Sequence, residues 1–291
     1  MARPLFLLLA VAAVATCMLP GAARAARAYD NCTGYIDAVP AAIATQGTWC
    51  LRKDVSTAVA NGAAIEVKTN NVIIDCNDFK IGGLGAGTGT STFGIYAAAR
   101  VNVTVRNCSL RGFRYGVALL GAAGSGHVVE NNRLQGNTQA GVVVEGDGSS
   151  VRNNLVTDTG GSTLYTGSAA GVRTLGAVHV QDNIVSGVAP SADADGHAGA
   201  IGIHSLANDN GALQRNRVRG LLPVGAGTAV GVRIEGDTTL VLEGNDVIGP
   251  ASGTGLLCDA GTVLATGNAV LGFATAIDTC VDVGGNVVDA E

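Results

Sequence analysis

Nine positions along the chain share one local signature, and it constrains the fold more than any other feature. They are Asn77, Cys108, Asn132, Asn154, Asn183, Asn216, Asn245, Asn268 and Asn286, eight of them Asn. Three residues before them stand Ile74, Val105, Val129, Val151, Val180, Leu213, Leu242, Ala265 and Val283. Two residues after them stand Phe79, Leu110, Leu134, Val156, Val185, Val218, Val247, Val270 and Val288, so all eighteen flanking positions are apolar. The spacings run 31, 24, 22, 29, 33, 29, 23 and 18 residues. A rigid helical repeat does not vary so much, whereas a coil of short strands does, because its turns absorb insertions while its strands keep register. A second strand in each coil opens on Gly and an aliphatic residue, as in Gly94-Ile95, Gly116-Val117, Gly141-Val142, Gly171-Val172, Gly202-Ile203 and Gly231-Val232.

The expected object is a stack of coils about 4.8 Å apart, the spacing of hydrogen-bonded strands. Apolar residues face inward and pile on their counterparts above and below. Asn suits the recurrent bend in two ways: it tolerates the left-handed backbone region, and its amide can bond to the Asn of the neighbouring coil. The outward column two residues before the Asn begins Asp75, Arg106, Glu130, Arg152. Its signs alternate, as stacked charges require. Each exposed pair is worth at most about 1 kcal/mol, so the alternation supports the register more than the stability.

Composition adds three exclusions. With 47% apolar and 14% charged residues, the chain is not disordered. Arg3, the apolar run Leu5–Leu19 and the Ala23-Arg24-Ala25 triplet describe a cleavable signal peptide over residues 1–25, too short to span a bilayer comfortably. The rival reading, a lipoprotein signal ending at Cys17, places Thr16 where a small residue is required. Cleavage after Ala25 leaves 16 basic and 23 acidic residues, a poor balance for binding nucleic acid. Six cysteines remain, an even number that points to three disulfides in an oxidising compartment, secreted or periplasmic. Cys76 and Cys108 fall in adjacent coils, as do Cys258 and Cys280, while Cys32 with Cys50 closes the N-terminal segment. No C-x-x-C pair suggests zinc.

From Asn71 to Val288 the Gly-Val strands and V-x-x-N-x-V steps resemble the right-handed parallel β-helix superfamily, the fold of pectate lyases and related polysaccharide-active proteins. Segments 36–40 and 47–51 resemble the cap that precedes the first coil in many bacterial secreted β-helix-repeat proteins. The resemblance implies an all-β, single-domain solenoid of about nine coils: a capping region over 26–66 and the β-helix over 67–291. It also implies a polysaccharide partner. One fold hosts lyases, hydrolases, epimerases and adhesins, however, so the fold alone assigns no reaction. The N-T-D, D-D and G-H-G set of polygalacturonase-like hydrolases is missing, with Gly196-His197-Ala198 and Arg233-Ile234-Glu235 only fragments of it. The R-x-P-x-x-R segment of pectate lyases and the D-P-H-D signature of alginate epimerases are absent too.

Position points to one surface. Connections at 157–170, 187–200 and 220–229 are long in three consecutive coils, and long loops on a rigid scaffold are where function tends to lie. The first outward residues of the strands they enter are Arg173, His204 and Arg233, with Glu235 two residues further on. Such a column suits carboxylate or sulfate groups of an anionic glycan. An Arg or His there can take the proton α to a uronate carboxylate while another Arg stabilises the enolate, making Arg173, His204 and Arg233 the catalytic candidates. Hydrolysis needs two carboxylates flanking the bond, and Glu235 has only Glu145 or Asp259 on the same stack. The plainer alternative makes the column a solvated sheet face on a noncatalytic, glycan-binding surface protein.

Tyr165 and His197, on the long loops, and Glu235, beyond Arg233, are candidates for contact with substrate. No cofactor is required. Asp193-Ala194-Asp195-Gly196 is a fragment of a calcium loop, but Gly202 stands where the bidentate Glu belongs, so Asp193 and Asp195 read first as turn residues.

Overall fold

The computed structural model describes residues 31–207, 210–236, 239–259 and 261–289. The segment 1–25, expected from the sequence to be a signal peptide, lies outside the described residues. Within them the chain forms three long parallel sheets of eleven, ten and ten strands, about ten coils in all. Each turn of the solenoid runs through the eleven-stranded sheet, bends, crosses a second sheet, and enters a third by way of a loop. That third sheet, the site sheet, includes the strands Ala169–Leu175, Ala200–Leu206 and Ala229–Glu235. The segment 26–66 contributes strands to the same sheets: Gly47–Leu51 pairs with Val72–Asp75, and Ala63–Val67 with Phe93–Ala98.

The core is the inward stack expected from the repeat. Ile74, Val105, Val129, Val151, Val180, Leu213, Leu242 and Ala265 are all fully buried. Two positions depart from the expected register. Ile81, not Phe79, pairs with Leu110, because Asn77 and Asp78 both take positive φ and lengthen that bend. At the other end Ala265 pairs with Asp282, and Val283 is 53% exposed, because Gly284 and Gly285 insert a turn before Asn286. Val288 keeps its register with Val270 but stays 45% exposed, since no further coil covers it among the described residues.

The Asn column serves a different purpose from tolerance of a left-handed backbone. From Asn132 onward positive φ belongs to the residue before it, as at Asn131, Asn153, Asp182 and Arg215, at 56°, 55°, 56° and 52°, whereas the first column residue, Asn77, itself takes 48°. The column Asn itself turns its amide into the interior. Asn154 Nδ2 donates to Asn183 Oδ1, Asn183 to Asn216 and Asn216 to Asn245, each at 3.0 Å. The same Nδ2 groups donate to buried carbonyls, such as Val151 O at 2.9 Å from Asn183. What the bend selects is an amide able to donate twice and accept twice where water is excluded.

Outside, Arg106 pairs with Asp75 at 2.8 Å and Arg152 with Glu130 at 2.6 Å, as the alternation anticipates. All three disulfides form as expected, Cys32–Cys50, Cys76–Cys108 and Cys258–Cys280, with Cα separations of 5.9, 4.7 and 5.1 Å. They place folding in an oxidising environment. No helix among the described residues is long and apolar enough to cross a membrane.

The glycines opening the site-sheet strands serve close approach. A Cβ on Gly202 would lie 2.2 Å from Val218 Cγ1 and 2.5 Å from Gly231 O. Gly202 therefore lets the second sheet press against the strand that carries His204. Gly202→Ala is expected to lower stability by about 1–3 kcal/mol through overpacking, read as a lower urea midpoint.

Candidate functional site

The site sheet stacks Arg173 on His204 and His204 on Arg233 in direct register, as the repeat requires. All three point outward because Val172, Ile203 and Val232 beside them point into the core. The loops that enter this sheet are joined to one another. Ala198 and Val224 exchange backbone hydrogen bonds of 3.0 and 2.9 Å, and Gly167 N donates to Ser191 O at 2.9 Å. His197 helps here, its Nδ1 accepting from Ala226 N at 2.9 Å. It holds one loop to the next and does not line the cleft described below. Asp193 Oδ1 accepts from the backbone N–H of Asp195 and of His197, the geometry of a turn. Among the described residues, no group of three or more His, Cys, Asp or Glu is arranged to hold a metal ion.

The column is not the uniformly basic surface its residue types suggest. His204 Nε2 lies 2.7 Å from Glu235 Oε2. Arg233 is clasped by Asp259, with both guanidinium contacts at 2.8 Å, and reaches Glu235 at 3.8 Å. Arg173 has no hydrogen-bond or ion-pair partner among the described residues. The local charge is therefore nearly balanced, with one open cation at one end.

Burial is the main influence on His204 and holds its pKa below 6.5. The hydrogen bond to Glu235 opposes this, while the charges of Arg173 and Arg233 add to it. Glu235 is held below its ordinary carboxylate value, first by the bond to His204 and then by the arginines. A carboxylate accepts only, so the imidazole proton sits on Nε2 and Nδ1 is left as the basic nitrogen. This is an oriented neutral histidine, the arrangement proton abstraction needs.

Beside the column lies a cleft of about 180 Å³. Ala140, Ala170 and Ile201 form its floor, and Tyr115 and Gln139 its far side. One wall is thus apolar and the other carries Arg173, His204 and Arg233, which suits a sugar ring with a C–H face and a polar edge. Sequence reasoning missed Tyr115, Gln139 and the alanines. The signal was present, because Tyr115, Ala140, Ala170, Ile201 and Val230 form one stacked column immediately before each Gly.

Tyr165 stands outside the cleft lining. Its ring lies against the Arg114 guanidinium, 3.5 Å from the ring centroid. Glu145 is committed elsewhere, accepting from Gly121 N at 2.6 Å. It lies three coils from Glu235, about 14 Å, beyond the spacing of hydrolytic carboxylate pairs. Glu235 and Asp259 both contact Arg233, so they flank an arginine and not an open bond.

Comparison with known proteins bears on the fold. Among curated proteins none matches the chain. DFA-IIIase from Arthrobacter chlorophenolicus A6 resembles it at 13% identity and a TM-score of 0.44, over 81% of this chain and 62% of that one. A mutant tailspike protein of E. coli bacteriophage HK620, in complex with a hexasaccharide, resembles it at 12% identity and a TM-score of 0.39, over 85% of this chain and 52% of that one. The chain thus spans less than two thirds of these structures, and the likeness is one of fold alone. The profile described as "Right handed beta helix region" matches residues 43–200, more than half of the 291. On the strength of that match and of its three stacked parallel sheets, the chain belongs to the right-handed β-helix family.

Proposed function

We propose that this is an exported polysaccharide-active protein that binds an acidic glycan in the cleft beside Arg173, His204 and Arg233 and cleaves it by β-elimination. The observation that carries the reading is the His204–Glu235 pair, 2.7 Å apart, set one coil from Arg173, which has no partner among the described residues. Arg173 pairs with the uronate carboxylate and steadies the negative charge as it moves onto that group. His204 Nδ1 takes the proton α to the carboxylate, and Glu235 stabilises the imidazolium that results. The electrons of the broken C–H bond form the new C=C bond as the glycosidic C–O bond breaks. The departing oxygen takes a proton from solvent. Arg233, held by Asp259, keeps Glu235 ionised and in place. The disulfides and the Ala23-Arg24-Ala25 segment support export by a cleaved signal peptide.

The test is incubation with a panel of polyuronates, assayed for unsaturated ends by ultraviolet absorbance. Product is expected from at least one polyuronate, with Arg173→Ala lowering kcat/KM at least about 100-fold through loss of a charge-assisted contact and of enolate stabilisation. Absence of product from every polyuronate, with binding retained, would instead establish a noncatalytic glycan-binding protein. The pairing of Arg233 with Asp259, which spends one of the column's cations internally, favours that second reading.

A further inference from the structure

The cleft extends past the reacting centre. From the strand carrying His204, its floor column runs Ile201, Ala170, Ala140 and ends at Tyr115. That is three coil steps, about 14 Å, room for more than one sugar ring. Small residues occupy the middle, Tyr115 and Gln139 stand at the far end, and Ser168, just before the strand that carries Arg173, also lines the cleft.

Gln139 is held in a way that dictates what it offers. Arg114 Nε donates to its Oε1 at 2.7 Å, and an arginine can only donate, so the amide orientation is determined. The Nε2 group has no hydrogen-bond partner among the described residues and is the donor Gln139 presents. Arg114 is itself fixed. It donates to Tyr115 Oη at 3.1 Å and lies 4.7 Å from the Tyr115 ring centroid and 3.5 Å from that of Tyr165. Tyr165 is anchored through Ser162 Oγ, which accepts its backbone N–H at 2.8 Å. The same loop donates from Thr163 N to Thr88 O at 3.1 Å. A chain of contacts thus leads from an ordered loop to one amide at the edge of the cleft.

We propose that Tyr115, Gln139 and Ser168 form a second sugar subsite that accepts a ring bearing an acceptor group, a carboxylate or hydroxyl, next to the ring bound at Arg173. This rests on the functional reading above and specifies it: the ligand is an oligomer, and the Gln139 amide selects its second ring. Tyr165 is a positioning residue that acts through Arg114.

The experiment uses the full chain carrying His204→Ala, so that nothing is consumed, with mono-, di- and trimeric uronic acids titrated by calorimetry. The trimer is expected to bind at least about tenfold more tightly than the monomer, the scale of one hydrogen bond to a charged group. Gln139→Glu keeps the contact to Arg114 but replaces the donor with an acceptor, and should bring the trimer-to-monomer ratio close to one. Tyr165→Ala should lower the ratio and Tyr165→Phe restore it, with circular dichroism unchanged in both. A ratio near one in the parent, or one that Gln139→Glu leaves intact, overturns the subsite. If the ratio behaves as expected but the protein with His204 intact forms no product, the elimination chemistry fails and the subsite stands. If product forms but the ratio is flat, the elimination chemistry stands and the subsite fails.

Discussion

Replacing Asn183 by Ala is expected to destabilise the protein by about 3–5 kcal/mol, among the largest effects a single substitution produces. Asn183 is fully buried in the middle of the ladder. Its Nδ2 donates to Val151 O and Asn216 Oδ1, and its Oδ1 accepts from both nitrogens of Asn154. Alanine leaves the Asn154 backbone N–H without its acceptor and takes the amide donor from the Val151 carbonyl where water does not reach, and a buried group left unpaired costs about 1–3 kcal/mol. The cavity left by the missing amide adds to this. Asn286 provides the contrast. It ends the ladder, accepts from Asn268 Nδ2 at 2.9 Å and is only partly buried, so water can replace what Asn286→Ala removes. About 1 kcal/mol is expected there. Urea unfolding of the two variants checks the prediction, and equal losses would contradict it. A solenoid unfolds by units, so spectroscopic and hydrogen-exchange readouts belong together in that comparison.

His204→Ala is expected to lower turnover on a productive polyuronate by at least about 100-fold, the usual contribution of a positioned base. The pH profile is the sharper check. Activity requires neutral His204, so the rate falls as the pH drops through its pKa, which lies below 6.5. Glu235 raises that pKa and Arg173 lowers it. Glu235→Gln should therefore move the acid limb to lower pH, and Arg173→Lys, which keeps a cation nearby, should move it little. Arg173→Ala should move it to higher pH on whatever activity remains. Shifts of the same sign in Glu235→Gln and Arg173→Ala would mean that His204 is not the titrating base.

Much of this molecule can be read along the chain. In Val180-x-x-Asn183-x-Val185 the two valines are fully buried and the Asn lies in the ladder, as alternation and stacking require. Register also carried the pairings of Cys76 with Cys108 and Cys258 with Cys280, and the stacking of Arg173, His204 and Arg233. The misplacements were local. Two positive-φ residues at the first bend substitute Ile81 for Phe79, and paired glycines at the last shift Val283. Each changes the residue count within a turn, which apolar spacing alone does not report.

The candidate site divides along the same line. Its column was legible, but its electrostatics were not: residue types suggested a basic strip, whereas Asp259 and Glu235 take up Arg233 and His204. Tyr165 was recognisable as a loop aromatic, and only the folded loop shows it lying on Arg114.

By itself the sequence determined the solenoid, its register in every coil between the first and last bends, its disulfide partners and the strand face on which His204 stands. It does so because each coil of a β-helix meets only its neighbours, which reduces the fold to one dimension and makes stacking a matter of counting. Tertiary structure alone decided which charges neutralise each other, which arginine is left open, and how the Tyr165 loop reaches Gln139. Those contacts run diagonally between coils and across loops of unequal length, where side-chain rotamers and loop packing set the distances and no repeat encodes them.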